Sequence, residues 1–203
     1  MYVPAHFAAP EDAVAQLLAA PGAVDLISNT ASGLTATTLP MLHDPDAATL
    51  TGHLARNNPH WQESVGEVLV IVRGPDAYVS PSWYATKAEH GRVVPTWDYV
   101  LAHVHGEMVV HTDADWLAAH VARLTEAHEG RRAEPWAVTD APERFVAGQL
   151  RAIVGVEVRI RRVEAKWKLS QNRSPADVDG VVSGLTADGQ QATADAVQAA
   201  RRG

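Results

Sequence analysis

The stretch Val24-Asp25-Leu26-Ile27-Ser28-Asn29-Thr30-Ala31-Ser32-Gly33-Leu34-Thr35-Ala36-Thr37-Thr38-Leu39 decides the fold. Two runs rich in Val, Ile, Leu and Thr flank Ala31-Ser32-Gly33, a connection with glycine where a left-handed residue is wanted. Val24–Thr30 and Leu34–Leu39 therefore read as two strands of a hairpin with a three-residue loop. Asp44-Pro45-Asp46 closes this first sheet segment. Working outward, Thr49–His53 predicts a short strand, and Leu54–Asn58 predicts one helical turn that Pro59 stops, with His53 at the strand-to-helix junction. Val68–Val72 is apolar at every position, which predicts a strand covered on both faces, as at the centre of a barrel or a dimer. Tyr78–Ser80 and Tyr99–Val110 continue the strand pattern, with Gly106-Glu107 as a turn. Val156–Leu169 predicts a long strand whose apolar phase switches between Ile160 and Val163, with a bulge near Arg161.

Helix signals lie at the ends and between these strand groups. Pro10-Glu11-Asp12 opens a helix with core face Val14, Leu17 and Leu18 that runs to Pro21-Gly22. Asp113–Glu129 carries acids in its first turn and the stripe Leu117, His120 or Val121, Leu124, His128. A further helix is predicted over Pro142–Ile153, ending at Gly155, and a short one from Ser174-Pro175. Strands in hairpins with helices around them predict an α+β chain, an antiparallel barrel with peripheral helices. No dinucleotide, P-loop, nucleophile-elbow or zincin signature occurs.

The chain has 203 residues, 46% apolar and 20% charged, enough for one domain with a full core and too ordered in composition for intrinsic disorder. Residues 1–185 are expected to form that domain and 186–203 a polar tail with a frayed helix. With zero cysteines there is no disulfide, thiolate metal site or cysteine nucleophile. The net charge of −7 supplies no global attraction to DNA or to an anionic membrane, so DNA binding would need a local basic patch. Lacking a long apolar run or a signal-peptide pattern at Met1–Phe7, the chain is expected in the cytoplasm.

Polar and aromatic residues crowd into Gly52–Pro59, Ser80–Lys87 and Lys166–Arg173. A turn rich in Asn beside Arg56 supplies N–H donors and a bidentate fork, suited to a phosphate or carboxylate. Trp83, Tyr84, Trp97 and Tyr99 supply flat apolar area for a planar cofactor. His53 is a candidate axial haem ligand because it adjoins that turn and one His suffices for haem. The alternative reading is structural: Arg56 pairing with a surface acid, the aromatics in the core, His53 hydrogen-bonded in place. His103 and His105 share one strand face as two metal ligands could, with no third ligand fixed by spacing. His120 and His128 read as packing residues. Six basic residues between Arg159 and Arg173 could face DNA, hold an anionic cofactor or protect a sheet edge.

Several ordered segments resemble the PaiB family of FMN-binding negative transcriptional regulators. They are Met1-Tyr2-Val3-Pro4-Ala5-His6-Phe7, Gly52–Pro59, Tyr78–Tyr84, Val94-Pro95-Thr96-Trp97 and Lys168-Leu169-Ser170-Gln171-Asn172-Arg173. The resemblance covers Met1 to Leu185. It implies a split β-barrel that forms a homodimer and, as in related split barrels, binds flavin at the dimer interface. Placed on these motifs, cofactor contacts fall to His53, Arg56, Asn57, Ser80, Trp83, Tyr84, Lys87, Thr96, Trp97, Lys168, Ser170 and Gln171. Arg56, Lys87 and Lys168 would hold the anionic group, and Trp83, Tyr84 and Trp97 would line the planar part. Two departures stand out. Ala36-Thr37-Thr38-Leu39-Pro40 replaces the family's A-T-H-L-P, and Pro95-Thr96-Trp97-Asp98-Tyr99 replaces P-T-W-N-Y. The family also contains haem-dependent piperazate synthases, which close an N–N bond within N5-hydroxyornithine. In that reading His53 ligates haem b and Lys87 or Asp98 is the catalytic base. An FMN-dependent oxidoreductase and a cofactor-free interaction protein complete the alternatives.

Overall fold

The computed structural model describes residues 1–20 and 22–201. The first expected helix is α1 (Glu11–Ala19); Pro21, expected to end it, and Arg202 and Gly203, the end of the expected tail, lie outside the described residues. Contacts divide the chain into two compact units, each discontinuous in sequence. One comprises residues 1–14, 73–102 and 164 onward, the other residues 15–72 and 103–163.

The second unit carries the barrel. Strands β1 (Gly22–Thr30), β2 (Gly33–Asp44), β3 (Thr49–Ala55), β4 (Val65–Val79), β5 (Thr96–His111) and β6 (Ile153–Lys168) close in the order β1-β2-β3-β6-β5-β4. β1 pairs antiparallel with both β2 and β4. The β1–β2 loop is tighter than the sequence predicts. Gly33 pairs with Thr30, leaving only Ala31 and Ser32 between the strands. The Thr30 hydroxyl donates to the Gly33 carbonyl at 2.8 Å and closes the turn. β3 runs through His53 to Ala55, paired with β6 from Thr49↔Arg159 to Ala55↔Ile153, so His53 lies inside a strand. The helix expected before Pro59 forms after it, as α2 (His60–Glu63).

Within β4, Val68, Val70 and Val72 are buried while Leu69 and Ile71 are half-buried, so the apolar run has one core face and one partly open apolar face. β5 passes through Gly106 without turning. The glycine marks a close backbone approach: a Cβ there would lie 2.3 Å from the Arg159 carbonyl oxygen. In β6, Arg161 and Arg162 are both exposed although adjacent, at the place where the apolar phase changes. α4 (Ala114–Glu129) is capped by Asp113, whose carboxylate accepts from the Trp116 N–H at 2.9 Å, and it buries Leu117 and His120. α5 (Glu143–Arg151) stops short of the predicted Ile153 because that residue already pairs in β6.

The first unit contains the remaining ends of β4, β5 and β6 with α3 (Thr86–His90), α6 (Pro175–Ala187) and α7 (Gln191–Ala200). Ser174 caps α6 and Pro175 occupies its first turn. The tail that the composition suggests to be frayed forms α7, which buries Thr193, Ala194 and Val197 and packs on α6, whose Val178, Val181 and Leu185 are buried. That apolar seam explains the order. The N-terminal motif packs on β6. Ala8 bridges Lys166, Phe7 is buried, and the Lys166 ammonium sits 5.6–5.9 Å from the rings of Tyr2, Phe7 and Tyr99.

Candidate functional site

In the first unit the structure gathers six of the expected residues at one corner. Asp98, pointing inward from β5, is fully buried and accepts from the Ser170 hydroxyl at 2.7 Å. The Lys168 ammonium donates to Thr96 Oγ1 at 2.7 Å, to the Trp97 carbonyl at 2.5 Å and to Asp98 Oδ1 at 3.4 Å. Gln171 folds back: its amide donates to the Trp167 carbonyl while its oxygen accepts from Leu169 N–H. Burial raises the Asp98 pKa above the usual carboxylate range, against the Ser170 hydrogen bond and the Lys168 charge. Lys168 is thus engaged by acceptors of its own chain.

The aromatic residues separate into two roles. Trp83 ends a 3-10 turn (Pro81–Trp83) and packs onto α6, whose Gly180 and Gly184 form a notch beneath it. A Cβ on Gly184 would lie 2.2 Å from the Trp83 ring, and one on Gly180 would meet the Trp83 carbonyl. Tyr84 is buried with the Arg173 guanidinium 4.5 Å from its ring, and burial raises its pKa. Ser80 caps the 3-10 turn, and exposed Lys87 donates to Ser82. Asp177 fixes the start of α3 by accepting from the Thr86 N–H and hydroxyl. Trp97, by contrast, is half-exposed. Tyr78 meets its ring edge-on at 6.2 Å, and its indole N–H donates to Asp76 at 3.0 Å. A groove of about 390 Å³ is lined by Trp97, Tyr99, Val100, Leu101, Arg73 and Asp76. Its size and mixed lining fall in the range of small-molecule sites.

In the second unit His53 is half-buried, and its Nδ1 lies 3.2 Å from Nε2 of His120 on α4. Burial lowers the His53 pKa. Burial first, then the neighbouring His53 and Arg123, take His120 down to about 4, so both rings are neutral at pH 7. Arg56 and Asn57 are exposed. The Arg56 guanidinium donates to the carbonyls of Arg151 (2.7 Å) and Ile153 (2.9 Å), a cation closing the C-terminal end of α5. The fork expected to bind an anion is therefore turned onto backbone. Asn58, its neighbour, holds His60, whose two ring nitrogens meet Ser28 and Thr37 hydroxyls at 2.7 and 2.8 Å.

The three arginines of the basic strand are paired with acids. Arg159 pairs with Glu157, Arg161 with Glu107 and Arg162 with Glu67, and Arg162 also donates to His105 Nδ1. Sequence reasoning missed the His53–His120 bond, because position 120 falls on a core stripe, and it missed Arg73 beside Trp97. The glycine notch was legible in principle, since Gly180 and Gly184 are four apart on one helix face.

A family model described as "Putative FMN-binding domain" matches residues 1–162. The "Protease synthase and sporulation protein PAI 2" of Bacillus subtilis is 34% identical over 138 residues, 67% of this chain and 64% of that protein; the match thus spans somewhat less than two thirds of its length. Among solved structures, a conserved hypothetical protein from Mycobacterium tuberculosis has a TM-score of 0.62 at 11% identity, covering 86% of this chain and 94% of that one. An "FAD and Heme binding protein" from Mycobacterium smegmatis has a TM-score of 0.57 at 16% identity, with 78% and 71% covered. At these identities the structural likeness concerns the fold.

Proposed function

Because the chain belongs to this FMN-binding domain family and has the split-barrel fold with its PaiB resemblance, we propose that it is a PaiB-type protein that binds FMN and acts in regulation. The observation that carries the reading is the groove of the first unit, where Trp97 and Tyr99 stand beside Arg73. The donor set fits FMN: aromatic area matches a planar isoalloxazine ring, and a guanidinium matches a phosphate. Trp97 would cover the ring. Thr96 and Lys168 would hold the wall from behind, with Asp98 and Ser170 as their support. Trp83 and Tyr84 would act through the α6 packing that shapes the unit.

A homodimer is part of this reading. Leu69 and Ile71 of β4, with Ile27 of β1, form a half-buried apolar strip in the second unit that a second copy would cover. Regulation through direct DNA contact gains no support from the basic strand, since its arginines are paired. If DNA is bound through Arg159–Arg173, affinity must fall steeply as salt rises from 50 to 200 mM, by roughly a factor of ten or more for each pair of phosphate contacts. Salt-insensitive or absent binding removes that version and leaves regulation through the cofactor or a protein partner.

One observation favours a second reading, a haem protein of the piperazate-synthase type. His53 is neutral and bonded through Nδ1, which leaves Nε2 as the ring nitrogen for an iron. Haem there would supply Lewis-acid chemistry toward a hydroxylamine. Neither residue expected to act as base is favoured for that role: Asp98 has no exposed surface and is taken up by Ser170 and Lys168, and Lys87 stands exposed with its ammonium on Ser82. The deciding experiment is an absorbance titration of the purified protein with FMN and with haemin. Quenched, shifted flavin bands that weaken in Trp97→Ala support the first reading. A Soret band lost in His53→Ala supports the second, and retention of neither ligand overturns both in favour of a cofactor-free interaction protein.

A further inference from the structure

Four rings of the second unit stand in one row. His111 stacks on Trp116 at 4.1 Å and 6°, and Trp116 stacks on His120 at 5.3 Å and 16°. His120 then meets His53 edge-on at 5.4 Å, with the two nitrogens 3.2 Å apart. We propose that His120 is a positioning residue: by holding Nδ1 of His53, it fixes that ring's orientation and tautomer and makes Nε2 the nitrogen presented to a cofactor. The inference rests on the reading in which His53 faces the cofactor.

The argument begins with the cost of His120 itself. It is 1% exposed on the core side of α4, a place where leucine would pack without burying polar atoms. Its Nδ1 has no hydrogen-bond partner among the described residues, so the bond to His53 is its one polar engagement there. Trp116 covers one face of the ring and itself lies over Gly155 of β6, where a Cβ would come 2.1 Å from the indole. A neutral imidazole has one donor and one acceptor nitrogen, so His53 presents a lone pair at Nε2 when its Nδ1–H donates to His120 Nε2, the direction this proposal requires; the opposite direction would put the proton on Nε2. The same logic, an outer partner setting the tautomer of a liganding histidine, governs metal sites generally.

The test uses the full chain labelled with 15N-histidine. Nitrogen NMR should show a coupling between His53 Nδ1 and His120 Nε2, and a single tautomer for His53. In His120→Leu the two His53 ring signals should converge as tautomers interconvert, and haemin affinity should fall about 10- to 100-fold. His120→Gln, which keeps a hydrogen-bonding head, should recover much of both. A folded Leu variant with the wild-type His53 tautomer and haemin affinity overturns the positioning role. If the Leu variant does not fold, absence of the nitrogen–nitrogen coupling in the wild type overturns it equally. The underlying reading fails separately: haemin uptake that survives His53→Ala, or no uptake by the wild type, removes the haem cofactor while the NMR still reports the pair.

Discussion

The Asp98 corner and the His53 pair show two ways of burying titratable groups. At the corner, a carboxylate with no exposed surface is matched by an ammonium and a hydroxyl, and the ammonium is matched again by Thr96 and a carbonyl. The polar atoms there are saturated. At the pair, two imidazoles are kept neutral, share one hydrogen bond and leave ring nitrogens unassigned. A saturated group has little to offer a ligand, whereas a neutral ring with a spare nitrogen can donate, accept or ligate. The corner therefore belongs to architecture, and the pair is where chemistry has an opening.

The largest expected effect tests the architectural half. Asp98→Ala leaves Lys168, one-fifth exposed, without its carboxylate and Ser170 without its acceptor. Unfolding in urea should show a loss of about 3 kcal/mol. A loss below about 1 kcal/mol would mean that the corner is not structural, and the contrast would collapse.

Next in size is the pH dependence, where the two regions have opposite signs. His120 has a folded pKa of about 4 against 6.5 for an unfolded histidine. Between those values the unfolded chain binds more protons. Stability is thus full above pH 6.5, is lost as pH falls toward 4, and is level below, with a total near 3 kcal/mol. The lowered pKa values of His53 and His60 add to the same acid limb. Asp98, whose pKa is raised above 3.8, works the other way. Its contribution is present below that value and is lost as pH rises through its folded pKa. Urea midpoints measured from pH 4 to 7 should therefore flatten in His120→Leu and steepen in Asp98→Asn. Identical slopes in both variants would show that neither group controls the limb.

Gly155→Ala follows, with an expected cost of about 1–3 kcal/mol from overpacking against the Trp116 ring. If the stacking clamps His120, the same variant should also broaden the His53 nitrogen signals. An unchanged melting temperature would mean that Trp116 has room to move.

How far the sequence disclosed this contrast depends on the range of each interaction. Hydrophobic period and turn chemistry are local, and they marked the hairpin, the helix over Asp113–Glu129 and the antiparallel barrel class. The path of β5 through Gly106 was misread as a turn because the reason for that glycine, the Arg159 carbonyl, lies 53 positions away. Arg56 was read as an anion fork because its acceptors, Arg151 and Ile153, are supplied by a distant helix end. Trp83 and Trp97 look alike in sequence, and only the glycine notch of α6 separates a packed indole from an open one. His53 stood out by its motif, but its partner His120 did not, since a histidine on a core stripe has the same signature whether it packs or positions.

The smallest effect concerns the basic strand β6. Arg161 is 62% exposed and its partner Glu107 is 58% exposed, with a 2.9 Å contact between them. Exposed pairs of this kind contribute little, because water screens the charges and two long side chains lose freedom. Arg161→Ala should change stability by less than about 1 kcal/mol, measured by urea unfolding. Its value is diagnostic. If Arg161→Ala left stability unchanged yet abolished binding to a regulatory DNA fragment, the pairing with Glu107 would be a resting state that DNA displaces. If DNA binding were absent in the wild type and the variant alike, the glutamates would be the permanent partners of this strand. The proposed regulatory role would then have to run through the cofactor or a protein partner.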